Sequence, residues 1–263
     1  MRWVVVLGWL AACGSNAATT GDAAMADAEH YAGSGSIVMR SYTSEPTGAG
    51  TVAYAAFIAR DDCGTMQVGP CSIRFCAPDW LGLTVSAGDL IIDSTPAFVM
   101  PPGEPDQTKS VRYFANRKEQ VFGPGDPRTI RAGGYAVPAF SVPFVAPIAA
   151  TITSPASATT LALGPADFTL TWTGGSGFLD VLFAVGSDNA VCRFDAAAGT
   201  GVIPIEAIRA SAVTGSYFAI ETSSEIETTL TDWTITTTAS IDATWSDGTA
   251  AVGTAMVTLP QGP

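Results

Sequence analysis

From Asp232 to Trp245 the chain alternates without a break. Odd positions carry Trp233, Ile235, Thr237, Ala239, Ile241, Ala243 and Trp245, whereas even positions hold only Asp, Thr and Ser. A period of two places one face on a core and the other in water, which is a β-strand. Fourteen residues exceed an ordinary strand, so a bend, bulge or hairpin is expected near Ala239-Ser240. Shorter runs of the same kind recur along the chain. SIVMRSY, TVAYAAFIA, SIRFC, DLIID, SVRYFA, TIRA and AFSVPFV occupy the first half; ATIT, DFTLTWT, LDVLFAV, SYFAIE and AVGTAMVTL join the long segment in the second. Turn residues separate them, as in GPGDP at 123–127 and GGSG at 174–177. Helical periodicity is nearly absent; only Pro204 to Ala210 reads as a turn or two of helix, opened by its proline. The spacing of short strands predicts an all-β protein built of sandwiches.

Three prolines, Pro143, Pro147 and Pro155, interrupt the extended run from Ala139 to Ala156. Charge changes at the same place. Residues 31–146 hold nine Lys/Arg against ten Asp/Glu, whereas residues 147–263 hold two against eleven. These shifts predict two β-sandwich domains, 36–147 and 148–263. The segment ITSPASATTLALGPADFTLTWTGG resembles the first two strands of immunoglobulin-like and fibronectin-III-like modules. Phe168, Leu170 and Trp172 share one face there, with Trp172 as the buried aromatic. The inter-sheet Cys pair of antibody domains is missing, because Cys192 stands alone in this half.

The first residues read differently. Met1-Arg2 is positive, and Trp3 to Ala12 is uncharged and mostly apolar. Ten residues rise only about 15 Å as a helix, half a bilayer core, so the run is a secretory signal segment rather than a span. Its end, Leu10-Ala11-Ala12-Cys13, resembles the lipobox of bacterial lipoproteins. That resemblance implies that residues 1–12 are removed and that the Cys13 sulfur carries lipid. Residues 13–35 are then the lipidated Cys and a flexible tether, since Gly14 to Gly35 has no apolar period that could bury a face. Gly14 stands where an Asp would imply inner-membrane retention, so the expected address is the outer membrane.

Composition agrees with export. Only 14% of the residues are charged, so the solvent faces must be covered largely by Thr and Ser hydroxyls. The net charge of −12, with no basic surface in either half, excludes nucleic acid as a partner. Apart from Cys13 there are four cysteines, Cys63, Cys71, Cys76 and Cys192, an even number that predicts disulfides in an oxidising compartment. Gly64 to Pro70 contains turn residues that would let Cys63 and Cys71 meet as a hairpin clasp, with Cys63–Cys76 as the second choice. Cys76 would then be left to Cys192, a pairing that requires the two halves to touch.

The sequence offers no catalytic set. His30, the sole histidine, lies in the tether, so neither a Ser-His-Asp nor a Cys-His arrangement forms in the folded part. The same count removes a histidine zinc site, and no cofactor motif is present. LIIDSTPAF, residues 90–98, resembles the aspartic-protease turn but has Thr95-Pro96 where that turn needs Gly, and no second copy exists. Asp93 is therefore read as closing a strand. Asp188-Asn189 and Asp247 lack the ligand spacing of a calcium loop and are read as turn residues. Lys109, Arg112, Arg117, Lys118, Arg128 and Arg131 form the one basic concentration, interspersed with acids. It is read as a solvated face, the alternative being a docking surface for the acidic second half.

Taken together, CGTMQVGPCSIRFC, GGYAVPAF, LTWTGG and CRFDAAAGTGVIP, with the lipobox, resemble two-domain surface lipoproteins of the myxobacterial type. The resemblance implies a fold and an address and no activity. The expectation is a non-enzymatic protein held to the bilayer through acylated Cys13, with a binding or structural role toward an envelope protein or glycan. The alternative is an envelope hydrolase, glycan-directed, that uses carboxylates alone.

Overall fold

The structure is a computed structural model, and it describes residues 32–45, 48–59, 63–75, 83–105, 110–157, 159–185, 188–211 and 216–258; Cys13 and Cys76 lie outside them. The chain is almost entirely β. The first half runs through β1 (Gly33–Glu45), β2 (Gly48–Ile58), β3 (Gly64–Val68), β4 (Cys71–Phe75), β5 (Thr84–Val85), β6 (Leu90–Ile92), β7 (Phe98–Met100), β8 (Tyr113–Arg117), β9 (Pro127–Ala132) and β10 (Phe140–Val145). The second half continues with β11 (Ala150–Ser154), β12 (Thr160–Leu163), β13 (Phe168–Gly174), β14 (Phe178–Val185), β15 (Asp188–Asp195), β16 (Thr200–Ile203), α1 (Ile205–Ser211), β17 (Tyr217–Thr229), β18 (Trp233–Asp242), β19 (Thr244–Trp245) and β20 (Val252–Val257). The short helix follows Pro204, as its sequence predicts.

One large sheet carries the architecture. Its order is β3-β4-β15-β14-β17-β18-β1-β2-β5, with β8 added on β2 and the β12/β20 pair added on β17. Two four-stranded sheets pack on it: β10-β9-β6-β7 and β16-β13-β11-β19. The first closes a core in which Ile37, Phe57, Trp233 and Ile235 meet Leu90, Ile92, Ile130 and Phe144. The second closes a core in which Leu179, Val181, Phe183 and Phe218 meet Ile152, Leu170, Trp172 and Trp245. Two sandwiches thus share one continuous sheet.

The chain crosses from the first small sheet to the second at residues 146–149, inside the proline-interrupted run. That crossing is tied to the large sheet rather than left loose. The Ser224 hydroxyl donates to the Val145 carbonyl at 2.7 Å, and the Ala150 N–H donates to Thr222 Oγ1 at 2.9 Å. Each core also borrows from the other half of the sequence: Trp233, Ile235 and Ile241 fill the first, and Cys71 and Ile73 fill the second. A cut at residue 147 therefore divides the chain without dividing the sheet.

The seam is the pairing of β1 with β18, parallel over nine pairs from Gly33↔Trp233 to Ser41↔Ile241. Gly35 lies within it because a Cβ there would come within 2.6 Å of both Ile235 Cδ1 and Phe57 Cδ1. The missing side chain lets these two close over the strand. Phe57 then stacks edge-on with Tyr113 and Trp233, at centroid distances of 5.7 and 6.4 Å.

The long alternating segment differs from expectation in one respect. It runs unbroken through Ala239-Ser240 and breaks at Ala243. There the chain leaves the large sheet, and Thr244-Trp245 pairs in parallel with Thr151-Ile152 of the opposite layer. Alternation holds from Trp233 to Ala239, after which Ser240 and Asp242 are buried as well. Ile235→Ala should cost about 2–5 kcal/mol and Thr236→Ala no more than about 0.5 kcal/mol, read as denaturant midpoints. Thr237 is buried with its hydroxyl unpaired. Thr237→Val, close in shape and free of that cost, should be neutral or stabilising by about 1 kcal/mol.

Candidate functional site

Cys71 and Cys192 occupy paired positions on neighbouring strands β4 and β15, and they form a disulfide buried in the second core. This replaces the expected Cys63–Cys71 clasp and excludes Cys76–Cys192. The reason lies in the hairpin. Its turn is confined to Gly69-Pro70, with Gly69 at φ +57°, so Val68 faces Cys71 and Gly64 faces Phe75. Cys63 thus sits at the open end of the hairpin, a strand's length from Cys71. Cys63 is also disulfide-bonded; the Cys63–Cys76 choice involves a cysteine outside the described residues.

A groove of about 630 Å³ opens at one end of the first sandwich, lined by Asp93, Ser94, Thr95, Pro96, Arg117, Glu119, Gln120, Val121 and Arg128. It brings the DSTP turn together with two members of the basic concentration. Asp93 does close its strand: its N–H donates to the Thr129 carbonyl at 3.1 Å, and its Oδ1 accepts from the Thr129 N–H at 2.6 Å. Arg117 donates to the Pro96 and Ala97 carbonyls at 2.9 and 3.1 Å and lies over the Phe98 ring. Arg128 donates to the Val121 and Pro127 carbonyls and to Asp126. These cations are turned onto their own sandwich. Lys109 lies outside the described residues.

Contact between the acidic half and a cation comes from β1 instead. The Arg40 Nε donates to Asp242 at 2.8 Å and lies 3.4 Å from Glu221, and its terminal nitrogens reach the Tyr217 hydroxyl at 3.4 and 3.5 Å. On the same sheet face, Arg193 grips Asp180 through two hydrogen bonds of 2.8 and 3.0 Å and reaches Glu225 at 2.7 Å. The Ser240 and Ser223 hydroxyls donate to Glu221 and Asp180. Register places these groups side by side. Arg193 faces Asp180, Asp180 faces Glu221, Glu221 faces Asp242, and Ser240 faces Arg40.

Asp180, Glu221 and Asp242 are each no more than 6% exposed. Burial pushes the Glu221 carboxyl up to about 7, with Arg40 pulling the other way. Asp242 is raised for the same reason and with the same opposition. Burial alone would lower the Arg40 guanidinium, but Asp242 and Glu221 together raise it. None of the three buried carboxyls lines the groove; their hydrogen bonds and ion pairs join β1, β14, β15, β17 and β18. Among the described residues, no cluster of three or more His, Cys, Asp or Glu is placed to hold a metal ion. Asp247 Oδ1 accepts from the N–H and the hydroxyl of Thr249, which is turn chemistry, and Asp188-Asn189 open β15.

Sequence reasoning missed this network because Ser240 and Asp242 fall on the polar side of an alternating strand. The available signal was a lone charge in each of two apolar runs, Arg40 in IVMRSY and Glu221 in FAIETSS. Compared with protein-family models, curated proteins and solved structures, the chain finds no match.

Glu221 makes stability depend on pH. Its folded-state value of about 7 lies above its ordinary 4.5, so its contribution is complete below about 4.5 and is lost as pH rises through about 7. The thermal midpoint should therefore fall between about pH 5 and pH 8, and Glu221→Gln should flatten that fall. Arg40→Met leaves two buried carboxyls without their cation and should cost about 3–5 kcal/mol near neutral pH.

Proposed function

We propose that the chain is a lipid-anchored protein of the cell envelope, directed to the outer membrane, whose folded part has a binding or structural role. The observation that carries this reading is the buried Cys71–Cys192 disulfide joining strands from the two halves of the sequence. Such bonds form and persist where the compartment is oxidising and are rare in the reduced cytosol. An exported chain with LAAC after a short apolar run has the means of anchoring through Cys13, as in the surface lipoproteins it resembles. No helix among the described residues is long and apolar enough to cross a membrane. β1 begins at Gly33, inside the expected tether of residues 13–35, so the tether shortens to residues 13–32; at about 5–6 Å times the square root of its length it would hold the sandwiches some 25 Å from the bilayer.

A binding or structural role is favoured over carboxylate-only hydrolysis by where the acids lie. Asp180, Glu221 and Asp242 are spent on Arg40, Arg193 and two serine hydroxyls, and of the two groove carboxyls Asp93 is held by the Thr129 N–H and Glu119 is 79% exposed, so they do not form the buried acid and base pair that flanks a substrate in hydrolysis. Labelled palmitate and detergent partitioning test the anchor. Wild type should take up label and enter the detergent phase, whereas Cys13→Ala should take up no label and be recovered as an uncut or a soluble precursor. A processed Cys13→Ala protein that still partitions with detergent would remove the lipobox assignment.

A further inference from the structure

We propose that the groove at the end of the first sandwich binds a neutral saccharide, which deepens the binding role above and rests on it. The groove's size lies within the range of small-ligand sites. Its lining excludes other ligand classes. Arg117 and Arg128 are balanced by Asp93 and Glu119, and Asp126 holds Arg128 as well, so the groove has no net attraction for an anion. Pro96 and Val121 are its apolar members, too little surface for a lipid or an aromatic ligand.

What remains is a dense set of hydrogen-bonding groups, several of them planar. Each sugar hydroxyl both donates and accepts, and neighbouring hydroxyls match the paired atoms of a carboxylate, an amide or a guanidinium. Arg117 spends one N–H on each of two carbonyls, which leaves three of its five donors. Asp93 is bonded through Oδ1 and retains Oδ2. Glu119 lies 3.9 Å from the Arg117 Nε, beyond hydrogen-bond reach, and is 79% exposed. Ser94 spends its proton on the Pro96 carbonyl and keeps its lone pairs. Gln120, whose Nε2 donates to the Tyr42 carbonyl at 3.5 Å and whose Oε1 can accept, and Thr95 complete the set with an amide and a hydroxyl.

The groups are also held in place before any ligand arrives. Arg117 is fixed by two backbone carbonyls and the Phe98 ring 5.4 Å from its guanidinium carbon, and Arg128 by two carbonyls and Asp126. Asp93 is fixed by its exchange of hydrogen bonds with Thr129. Side chains already ordered lose little entropy on binding, so even single hydrogen bonds to hydroxyls count toward affinity.

The test is saturation-transfer difference NMR on the full chain, with the methyl glycosides of glucose, galactose, mannose and N-acetylglucosamine, and with glucuronate and inorganic phosphate, as probes. At least one neutral glycoside should receive saturation. Glu119→Ala and Gln120→Ala, both at exposed positions, should weaken its binding about tenfold while leaving the melting midpoint in place. Absence of transfer to every neutral glycoside would overturn the proposal. So would transfer unchanged in both variants, or a preference for glucuronate or phosphate. Failure of the Cys13 labelling experiment would leave this measurement intact, and a labelled, anchored chain that binds no glycoside would retain only the structural role.

Discussion

The parallel pairing of β1 with β18 is the constraint from which the rest of the architecture follows. A parallel pair cannot be closed by a tight turn, and here nearly the whole folded chain lies between the two strands. Everything made in between must therefore return to the same edge in register. The result is a sheet in which each half of the sequence contributes one side of the seam, and neither core closes without residues from the other half: β18 completes the first, Cys71 and Ile73 the second. Cross-strand packing at Gly35, where Ile235 and Phe57 close over a residue without a side chain, fixes the register. A slip of one residue would place a side chain into both.

The charged network lies on the other face of this seam. Burying Asp242 and Glu221 beside Arg40 costs desolvation of three groups, and an apolar trio of the same volume would do as well or better for stability. What the ions add is discrimination. Arg40 on β1 reaches β18 and β17 together, so the pairing that brings Ser240 opposite Arg40 also satisfies Asp242 and Glu221. Shifting β1 by two residues would preserve the alternation of apolar and polar faces but strand all three charges. Period 2 alone does not forbid such a shift; the ion pairs do.

The strands themselves were legible in the sequence because alternation is a local property. Trp233, Ile235, Ala239 and Ile241 are buried where their spacing places them, and the helix after Pro204 is where its proline puts it. Trp172 is buried as its strand predicts, its indole N–H donating to the Ala196 carbonyl at 2.7 Å. Partnership between strands was not legible. That β4 would lie beside β15, and so bring Cys71 against Cys192, depends on a contact 121 residues apart in sequence. The loop between Cys63 and Cys71 by itself suggests a clasp, but a two-residue turn at Gly69-Pro70 places them at opposite ends of the hairpin. For the groove, Asp93 was recognised as a strand-closing acid. Its meeting with Arg117 and Arg128 required three strands of two different sheets to end at one place.

These features also separate what holds the molecule from what it presents. The network at Arg40 and the pinned crossing at residues 145–150 join the two sandwiches, and the disulfide fixes β4 of the first sequence half inside the second core. With hinge motion restrained at two points, a ligand at the groove meets a fixed surface rather than one assembled by closure. Recognition must then come from complementarity already present in the lining. Guanidiniums held by backbone carbonyls and a carboxylate held by a backbone N–H are groups whose positions the fold sets.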